Sequence, residues 1–264
     1  MINTLKFELK RGFKSGAFVL SLILSCTICI AEFGYYYSYY SNSPDLSTTI
    51  QAWIGTEYQF VFNNLFYILL PVFATLPFGA SYFSDLKSGY IKSIFVKTSR
   101  ARYYTAKSIA VFCTAAVAVM LPLIINFMIC MRVFPLRIPE KLLFYGGTVD
   151  ACLFADVYYN SSLAYGILFI LIDGLAAGII ALFSICVGDF CDSSFIAVTT
   201  PFVGYIITGF LFSNGSDKNF SLLEMINPHQ IMAADESRLF SMLGIMLFVA
   251  VIWIIIKARK KDIL

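Results

Sequence analysis

The sequence predicts an all-α, polytopic membrane protein, and three observations support that fold class. Of the 264 residues, 59% are hydrophobic and only 13% are charged, whereas soluble domains are about a quarter charged. The mean hydropathy is +0.79. Apolar runs of about twenty residues recur along the chain, and each is long enough to cross a hydrocarbon core of roughly 30 Å. We therefore expect a single transmembrane domain over residues 1–264.

Six membrane spans are predicted from these apolar runs. In chain order they cover Gly16–Phe33, Phe60–Phe78, Ala106–Met131, Leu163–Val187, Ser194–Phe212 and Phe240–Ile256. Prolines interrupt the second, third and fifth spans, and each proline removes a backbone donor and bends its helix. The expected architecture is a bundle of helices that are bent in places.

Lysine and arginine residues are concentrated on one predicted side of the membrane. The leader before the first span, the segment after the second span and the tail after the sixth span carry four, six and four of the 19 such residues. Because positively charged loops remain in the cytoplasm, both termini are expected to be cytoplasmic. The even number of spans agrees with that orientation.

The leader, residues 1–15, is predicted to form an amphipathic connecting helix at the membrane surface. Ile2, Leu5, Leu9 and Phe13 fall near one helical face, and most of the charged residues fall elsewhere. A basic start followed by an apolar run also fits a secretory signal peptide. The length and the pattern of the leader favour a first span that is retained.

A short basic segment, residues 84–104, separates the second span from the third. Its lysines and arginines, with the lysine that follows it, are Lys87, Lys92, Lys97, Arg100, Arg102 and Lys107. The only acid nearby is Asp85, in the first turn of a helix that Ser84 is expected to cap. This charge excess predicts a cytoplasmic position for the segment.

The apolar residues of the same segment recur at helical spacing. Leu86, Tyr90 and Ile94 are four residues apart, with Ile91 and Phe95 beside them. An amphipathic helix of this kind fits two roles. One is an anchor on anionic lipid, which needs only charge and an apolar face. The other is a docking helix for a cytoplasmic protein.

The last outer connection, residues 213–239, contains an apolar stretch that is too short to span a membrane. The stretch is followed by Asn227 and Pro228, and a proline at that place ends a helix. We expect a short helix before the sixth span that is either half-inserted (re-entrant) or lies on the membrane surface. Its candidate residues are Leu222, Leu223, Ile226, Asn227 and Pro228.

Asp173 is the one ionisable residue well inside a predicted span, where a charge costs at least ~2.5–3.5 kcal/mol on insertion scales. Two roles fit: a proton or substrate contact in a central cavity, or a hydrogen bond at a helix contact. Gly174 and Gly178 give the small-residue spacing of close helix packing, which favours the second role. Asn126 is the other intramembrane polar candidate, and Glu32 is expected at the membrane interface.

Motifs for enzyme chemistry are absent from the sequence. There is no Gly-x-x-x-x-Gly-Lys-Ser/Thr loop for ATP and no His-Glu-x-x-His motif for zinc. One histidine does not build the usual metal clusters, and the seven cysteines fit packing roles inside or beside the spans. We expect a chain that is not itself catalytic, binds no cofactor of its own and binds no nucleic acid.

The segment after the second span also resembles a known family. Residues Phe78–Lys92 (FGASYFSDLKSGYIK) and Ser99–Lys107 (SRARYYTAK) are similar to the corresponding segment of type-2 ATP-binding-cassette (ABC) permeases. Six spans, cytoplasmic termini, a basic amphipathic leader and a broken apolar segment before the last span extend the resemblance over the whole chain. The large nucleotide-binding domain that some relatives carry is absent here.

The resemblance implies a function for each part of the chain. The leader is a connecting helix, and residues 84–104 carry the coupling helix that contacts a separate cytoplasmic ATPase with its own ATP and Mg²⁺. The residues in or beside that contact are Asp85, Leu86, Lys87, Gly89, Tyr90, Ile91, Lys92 and Ile94. Two permease copies, or this chain and a sister, line an export pathway for an amphipathic peptide, antibiotic or lipid-like compound. The implied location is the plasma membrane of a prokaryote.

Two other functions remain compatible with the sequence. A membrane sensor or scaffold subunit that transports nothing has the same spans and the same docking helix. A secondary transporter needs intramembrane polar groups at broken helices, and Asp173 is the main residue that supports this alternative.

Overall fold

The computed structural model describes residues 2–42, 47–56, 61–138, 153–213, 222–228 and 236–259. Within these ranges the regular structure is entirely α-helical, and no strand is present. The helices are α1 (Ile2–Phe13), α2 (Gly16–Tyr40), α3 (Thr49–Ala52), α4 (Val61–Thr75), α5 (Ser81–Lys87), α6 (Tyr90–Phe95), α7 (Arg100–Val133), α8 (Ala155–Asn160), α9 (Ser162–Val187), α10 (Ser194–Ser213), α11 (Leu222–Ile226) and α12 (Glu236–Arg259).

Five of these helices are long and apolar enough to cross a membrane: α2, α7, α9, α10 and α12. The predicted all-α membrane class is therefore confirmed. The predicted second span, Phe60–Phe78, corresponds to α4, which has only 15 residues and is about 22 Å long at 1.5 Å per residue. Pro77 follows the last turn of α4, and a proline disfavours helical backbone in the residue before it.

Helix α9 lies at the centre of the bundle and packs against α4, α7, α10 and α12. Its closest approach to α7 occurs at two glycines. A Cβ added at Gly174 would lie 2.4 Å from Met120, and a Cβ added at Gly178 would lie 2.5 Å from Phe112. A larger side chain at either position would displace Met120 or Phe112 of α7, which agrees with the close packing that the small-residue spacing predicted.

The lysine-rich parts of the chain meet at one end of the bundle, which we call the basic end. Helix α1 is joined to α2 by Ser15, whose hydroxyl accepts a hydrogen bond from the Phe18 amide and donates one to the Pro77 carbonyl. The turn after α9 binds both α5 and the last turn of α12, through Asp189. The leader and the end of α12 therefore lie at the same end of the bundle.

Residues 84–104 do not form the single helix that the four-residue spacing predicted. Helix α5 begins at Ser81 rather than at a Ser84 cap, and the Ser84 hydroxyl donates to the Ala80 carbonyl instead. The chain then turns at Gly89, whose φ of 71° lies in the left-handed region that glycine adopts without strain. Helix α6 starts immediately afterwards, so residues before and after Gly89 do not share one helical face.

The connection between α2 and α4 contains a short helix that the sequence did not predict. Helix α3 has four residues and begins with a capping box, in which Thr48 and Gln51 each bind the other's backbone amide. The next residue, Trp53, is fully buried. Its indole N–H donates to the Leu123 carbonyl at 3.3 Å, and its ring packs edge-on against Phe127 of α7. The connection between α2 and α4 is thus partly inserted into the bundle.

Candidate docking surface and the buried charges beneath it

Four charged side chains from three helices meet at the basic end. Glu8 and Arg11 come from α1, Asp85 from α5 and Lys107 from α7. Glu8 and Lys107 are fully buried, Asp85 is 1% exposed, and only the Arg11 side chain reaches solvent, at 36%. We call these four residues the charge cluster, and their formal charges cancel.

Asp85 is the centre of the charge cluster. Lys107 Nζ donates to its Oδ2 at 2.7 Å, the Tyr103 hydroxyl donates to the same oxygen at 2.8 Å, and Arg11 Nη2 lies 2.6 Å from Oδ1. Lys107 Nζ also donates to Glu8 Oε2 at 3.0 Å. Buried charges are tolerated when they are paired and hydrogen-bonded in this way. Asp85 therefore joins α5 to both α1 and α7.

Aromatic rings and one close helix contact enclose the charge cluster. Lys107 Nζ lies 4.3 Å from the centroid of the Phe78 ring, and the Arg11 guanidinium lies 5.3 Å from that of Tyr90. A Cβ added at Gly12 would lie 2.6 Å from the Thr114 methyl group, so the backbone of α1 packs against a side chain of α7 here. The leader is thus packed against protein along its Glu8–Gly12 side, while Ile2 stays exposed.

The carboxylates around Arg11 favour its ionised form. Partial burial lowers the pKa of the guanidinium, but the hydrogen bond and the charge of Asp85, with the charge of Glu8, raise the pKa above its ordinary value. Burial raises the pKa of the Tyr90 hydroxyl, and Glu8 adds to that effect. Tyr90 therefore remains a neutral phenol against a cationic partner.

Other side chains of residues 84–104 point away from the charge cluster and are exposed. Val96 is 87% exposed and Leu86 is 41% exposed. Exposed basic side chains surround them in the sequence. We call this set the docking surface, and it consists of Leu86, Lys87, Lys92, Val96, Lys97 and Arg102.

The eight residues predicted at the ATPase contact divide by exposure. Leu86, Lys87 and Lys92 are exposed, and Gly89, Tyr90 and Ile94 are half-buried. Asp85 and Ile91 are buried, and Asp85 faces the charge cluster. The structure also adds exposed residues that spacing did not single out, chiefly Val96. The half-buried and buried members support the surface rather than form it.

A second set of contacts links α5 to the turn after α9 and to α12. The Tyr82 hydroxyl donates to Asp189 Oδ1 at 2.7 Å, and Lys257 Nζ lies 2.7 Å from Asp189 Oδ2. Lys257 also lies over the rings of Trp253 and Phe190, at 5.5 and 5.9 Å from their centroids. Burial raises the pKa of Tyr82, so its hydroxyl stays a donor. Helix α5 is thus held from both sides.

The two intramembrane polar candidates lie at helix contacts. Asp173 is fully buried in α9, and the Tyr67 hydroxyl of α4 donates to its Oδ2 at 2.9 Å. Asn126 of α7 donates to the Cys29 carbonyl and to Glu32 Oε2, both at 2.9 Å. Glu32 is fully buried against protein, and its position at the membrane interface stays a prediction.

The predicted re-entrant residues form part of the end opposite the basic end. Leu222 and Ile226 of α11 are buried in the main core, and Leu223 packs against it. The Asn227 side chain donates to Asn63 Oδ1 at 2.7 Å, and the Pro228 carbonyl accepts from the Tyr165 hydroxyl. The rest of the predicted outer segment 213–239, apart from its two ends, lies outside the described residues.

Sequence reasoning missed the pairing of Glu8 with Lys107, which are 99 residues apart. A weak signal was present. Lys107 falls one residue inside the predicted third span, and Glu8 is the only acid in the leader. A charged acid or base in an apolar environment needs a partner of opposite charge. Here Glu8 and Lys107 are partners of each other.

Among the described residues, no group of three or more histidine, cysteine, aspartate or glutamate side chains is placed to hold a metal ion. No protein-family model matches the chain, and no curated protein is significantly similar to it.

Proposed function

We propose that this chain is the membrane-spanning subunit of an ATP-driven exporter of the type-2 ABC class. The docking surface is the observation that carries the proposal, because it combines exposed apolar and basic side chains with a support of buried ion pairs. Solvated basic loops that only anchor to lipid do not require such a support. The partner would be a separate cytoplasmic ATPase, which holds ATP and Mg²⁺.

The proposal assigns six spans and cytoplasmic termini to the chain. Helix α4 serves as the second span, since it packs against α2, α7, α9 and α10 within the bundle. The basic end faces the cytoplasm, in agreement with the distribution of lysine and arginine. The membrane is the plasma membrane of a prokaryote.

The charge cluster would transmit movement of the docking surface to the membrane spans. A partner that moves α5 also displaces Asp85, and Asp85 binds Lys107 near the start of α7. Helix α7 has 34 residues and is about 51 Å long, so it reaches the opposite end of the bundle. Contiguous ion pairs and rigid helices of this kind carry coupling between distant sites.

The pathway would lie between two permease chains, either two copies or this chain and a sister. The proposed cargo is an amphipathic peptide, an antibiotic or a lipid-like compound that leaves the cell. A sensor subunit that transports nothing is the alternative, and it predicts ATPase binding without movement of any cargo.

Co-purification tests the proposal directly. The tagged chain is extracted from its native cells in mild detergent, and we expect a nucleotide-binding ATPase to accompany it with vanadate-sensitive activity. The variants Leu86→Asp and Val96→Asp each place a carboxylate on the docking surface, and we expect them to abolish the association. Absence of any ATPase from the wild-type complex would contradict the proposal.

The control variant is Leu136→Asp, which changes an exposed apolar residue beyond the other end of α7. It should leave the association intact. If Leu136→Asp and Val96→Asp weaken the complex equally, the docking surface is not the contact. ATP-dependent export from reconstituted vesicles then separates a transporter from a sensor.

A further inference from the structure

An apolar cavity of about 360 Å³ lies between α9, α10 and α12. Helices α10 and α12 each pack against α9, but within the described ranges they do not pack along each other. The space between them is therefore left open. Its volume lies within the range of small-molecule sites, about 300–1,000 Å³.

The wall of the cavity is apolar and partly adaptable. Phe183 and Ile180 contribute from α9, and Met242 and Met246 contribute from α12. Methionine side chains adjust to irregular apolar shapes. At Gly204 of α10, an added Cβ would meet nothing within 4 Å, so the cavity extends to the backbone of that helix.

The few hydroxyl groups in the wall are already hydrogen-bonded to backbone. Thr200 donates to the Ile196 carbonyl at 2.7 Å and Thr208 to the Tyr205 carbonyl at 2.8 Å. The Tyr205 hydroxyl donates to the Tyr67 carbonyl at 3.1 Å. An occupant thus finds no free donor in this wall, and burial of a polar ligand group here would be costly. The described wall residues therefore favour a hydrocarbon ligand over a polar one.

Exposed apolar residues flank the cavity on both helices. Val203 and Ile207 of α10 and Ile245 of α12 are each at least 48% exposed and are neighbours of wall residues in the sequence. All three lie within helices of membrane-spanning length. The cavity therefore borders the hydrocarbon of the bilayer, where acyl chains are the most abundant occupant of matching chemistry.

We propose that this cavity is a binding site for one acyl chain of a membrane phospholipid. The site is independent of the exporter proposal, because its evidence is the wall between α9, α10 and α12 alone.

Photo-crosslinking in vesicles of dioleoylphosphatidylcholine tests the site. Phe183 is replaced by p-benzoylphenylalanine, and we expect an adduct with the mass of the chain plus one phospholipid. The variants Gly204→Phe and Met242→Trp fill the cavity from two different helices, and both should lose that adduct. Two fillers are used so that a folding defect in one does not decide the result.

Gly244→Phe is the matched control. Gly244 lies on α12, also has nothing within 4 Å of an added Cβ, and is not part of the cavity wall. This variant should keep the adduct. An adduct that persists in well-folded Gly204→Phe and Met242→Trp would show ordinary contact with surrounding lipid and overturn the proposal. An adduct between two copies of the chain would assign the cavity to a protein interface and overturn it as well.

Discussion

The two ends of the bundle are held by different chemistry. At the basic end, Glu8, Asp85 and Lys107 form ion pairs between side chains of three helices. At the opposite end, neutral amides from Asn63 and Asn126 bind mainly backbone groups. Ions thus join regular helices, and amides complete an irregular turn.

The reason lies in what each end must satisfy. The turn after α3 is not helical, and its backbone groups need partners because none are supplied by a helix. Asn126 Oδ1 accepts from the Ile54 amide at 3.1 Å, and Asn63 donates to the Ile54 carbonyl at 2.7 Å. A carboxylate only accepts and an ammonium only donates, whereas an amide does both.

The largest effect is expected from a break in the charge cluster. Lys107→Met leaves Glu8 buried without its 3.0 Å partner and takes one of three donors from Asp85. We expect the free energy of unfolding to fall by about 3–5 kcal/mol, the usual cost when a buried pair loses one member. Thermal unfolding in detergent measures the change.

Two further variants show whether charge is the cause. Lys92→Met removes an exposed lysine of the same segment and should change stability by less than about 0.5 kcal/mol. Glu8→Gln combined with Lys107→Met removes the uncompensated carboxylate, so the double variant should be more stable than Lys107→Met alone. Equal losses in Lys107→Met and Lys92→Met would refute the role of the cluster.

A smaller effect is expected at the end opposite the basic end, which we call the amide end because Asn63 and Asn126 hold it. Asn126→Leu removes donors to the Cys29 carbonyl and Glu32 and the acceptor of the Ile54 amide. The expected loss is about 1–3 kcal/mol. The chain has two tryptophans, so a Trp253→Phe background leaves Trp53 as the reporter, and its emission should shift to the red as the turn loosens.

Asn3→Leu serves as the comparison, since Asn3 is exposed on α1. It should shift neither stability nor the emission of Trp53. An unchanged Trp53 spectrum in Asn126→Leu would mean that the amide does not hold the turn.

The smallest effect is expected from Asn227→Ala, which removes the 2.7 Å hydrogen bond to Asn63 Oδ1. A single neutral hydrogen bond contributes about 1 kcal/mol. Amide hydrogen exchange should speed up in α11 and remain unchanged in α9. A loss as large as that of Asn126→Leu would show that the amide end depends on Asn227 rather than on the turn.

The long apolar helices were predictable because length and composition alone determine them. The predicted span Leu163–Val187 and α9, Ser162–Val187, differ by one residue. The bend at Gly89 was not predictable from spacing, since the four-residue repeat continues across it. The insertion of Trp53 was missed because a four-residue helix carries too little periodicity to detect.

The position of the candidate site along the chain was predictable, but the burial of its residues was not. Charge excess located residues 84–104, and the resemblance placed Asp85 in or beside the ATPase contact, whereas its side chain is buried. Its burial depends on Arg11 and Lys107, which approach only when α1 and α7 pack together. Contacts between segments far apart in the chain leave no local pattern, so they cannot be recognised from a single sequence.

The distance of 99 residues between Glu8 and Lys107 also orders events during biosynthesis. While the ribosome is still making the first hundred residues, Lys107 is absent, so its ion pair with Glu8 cannot form. The charge cluster is therefore complete only after the start of α7 has emerged.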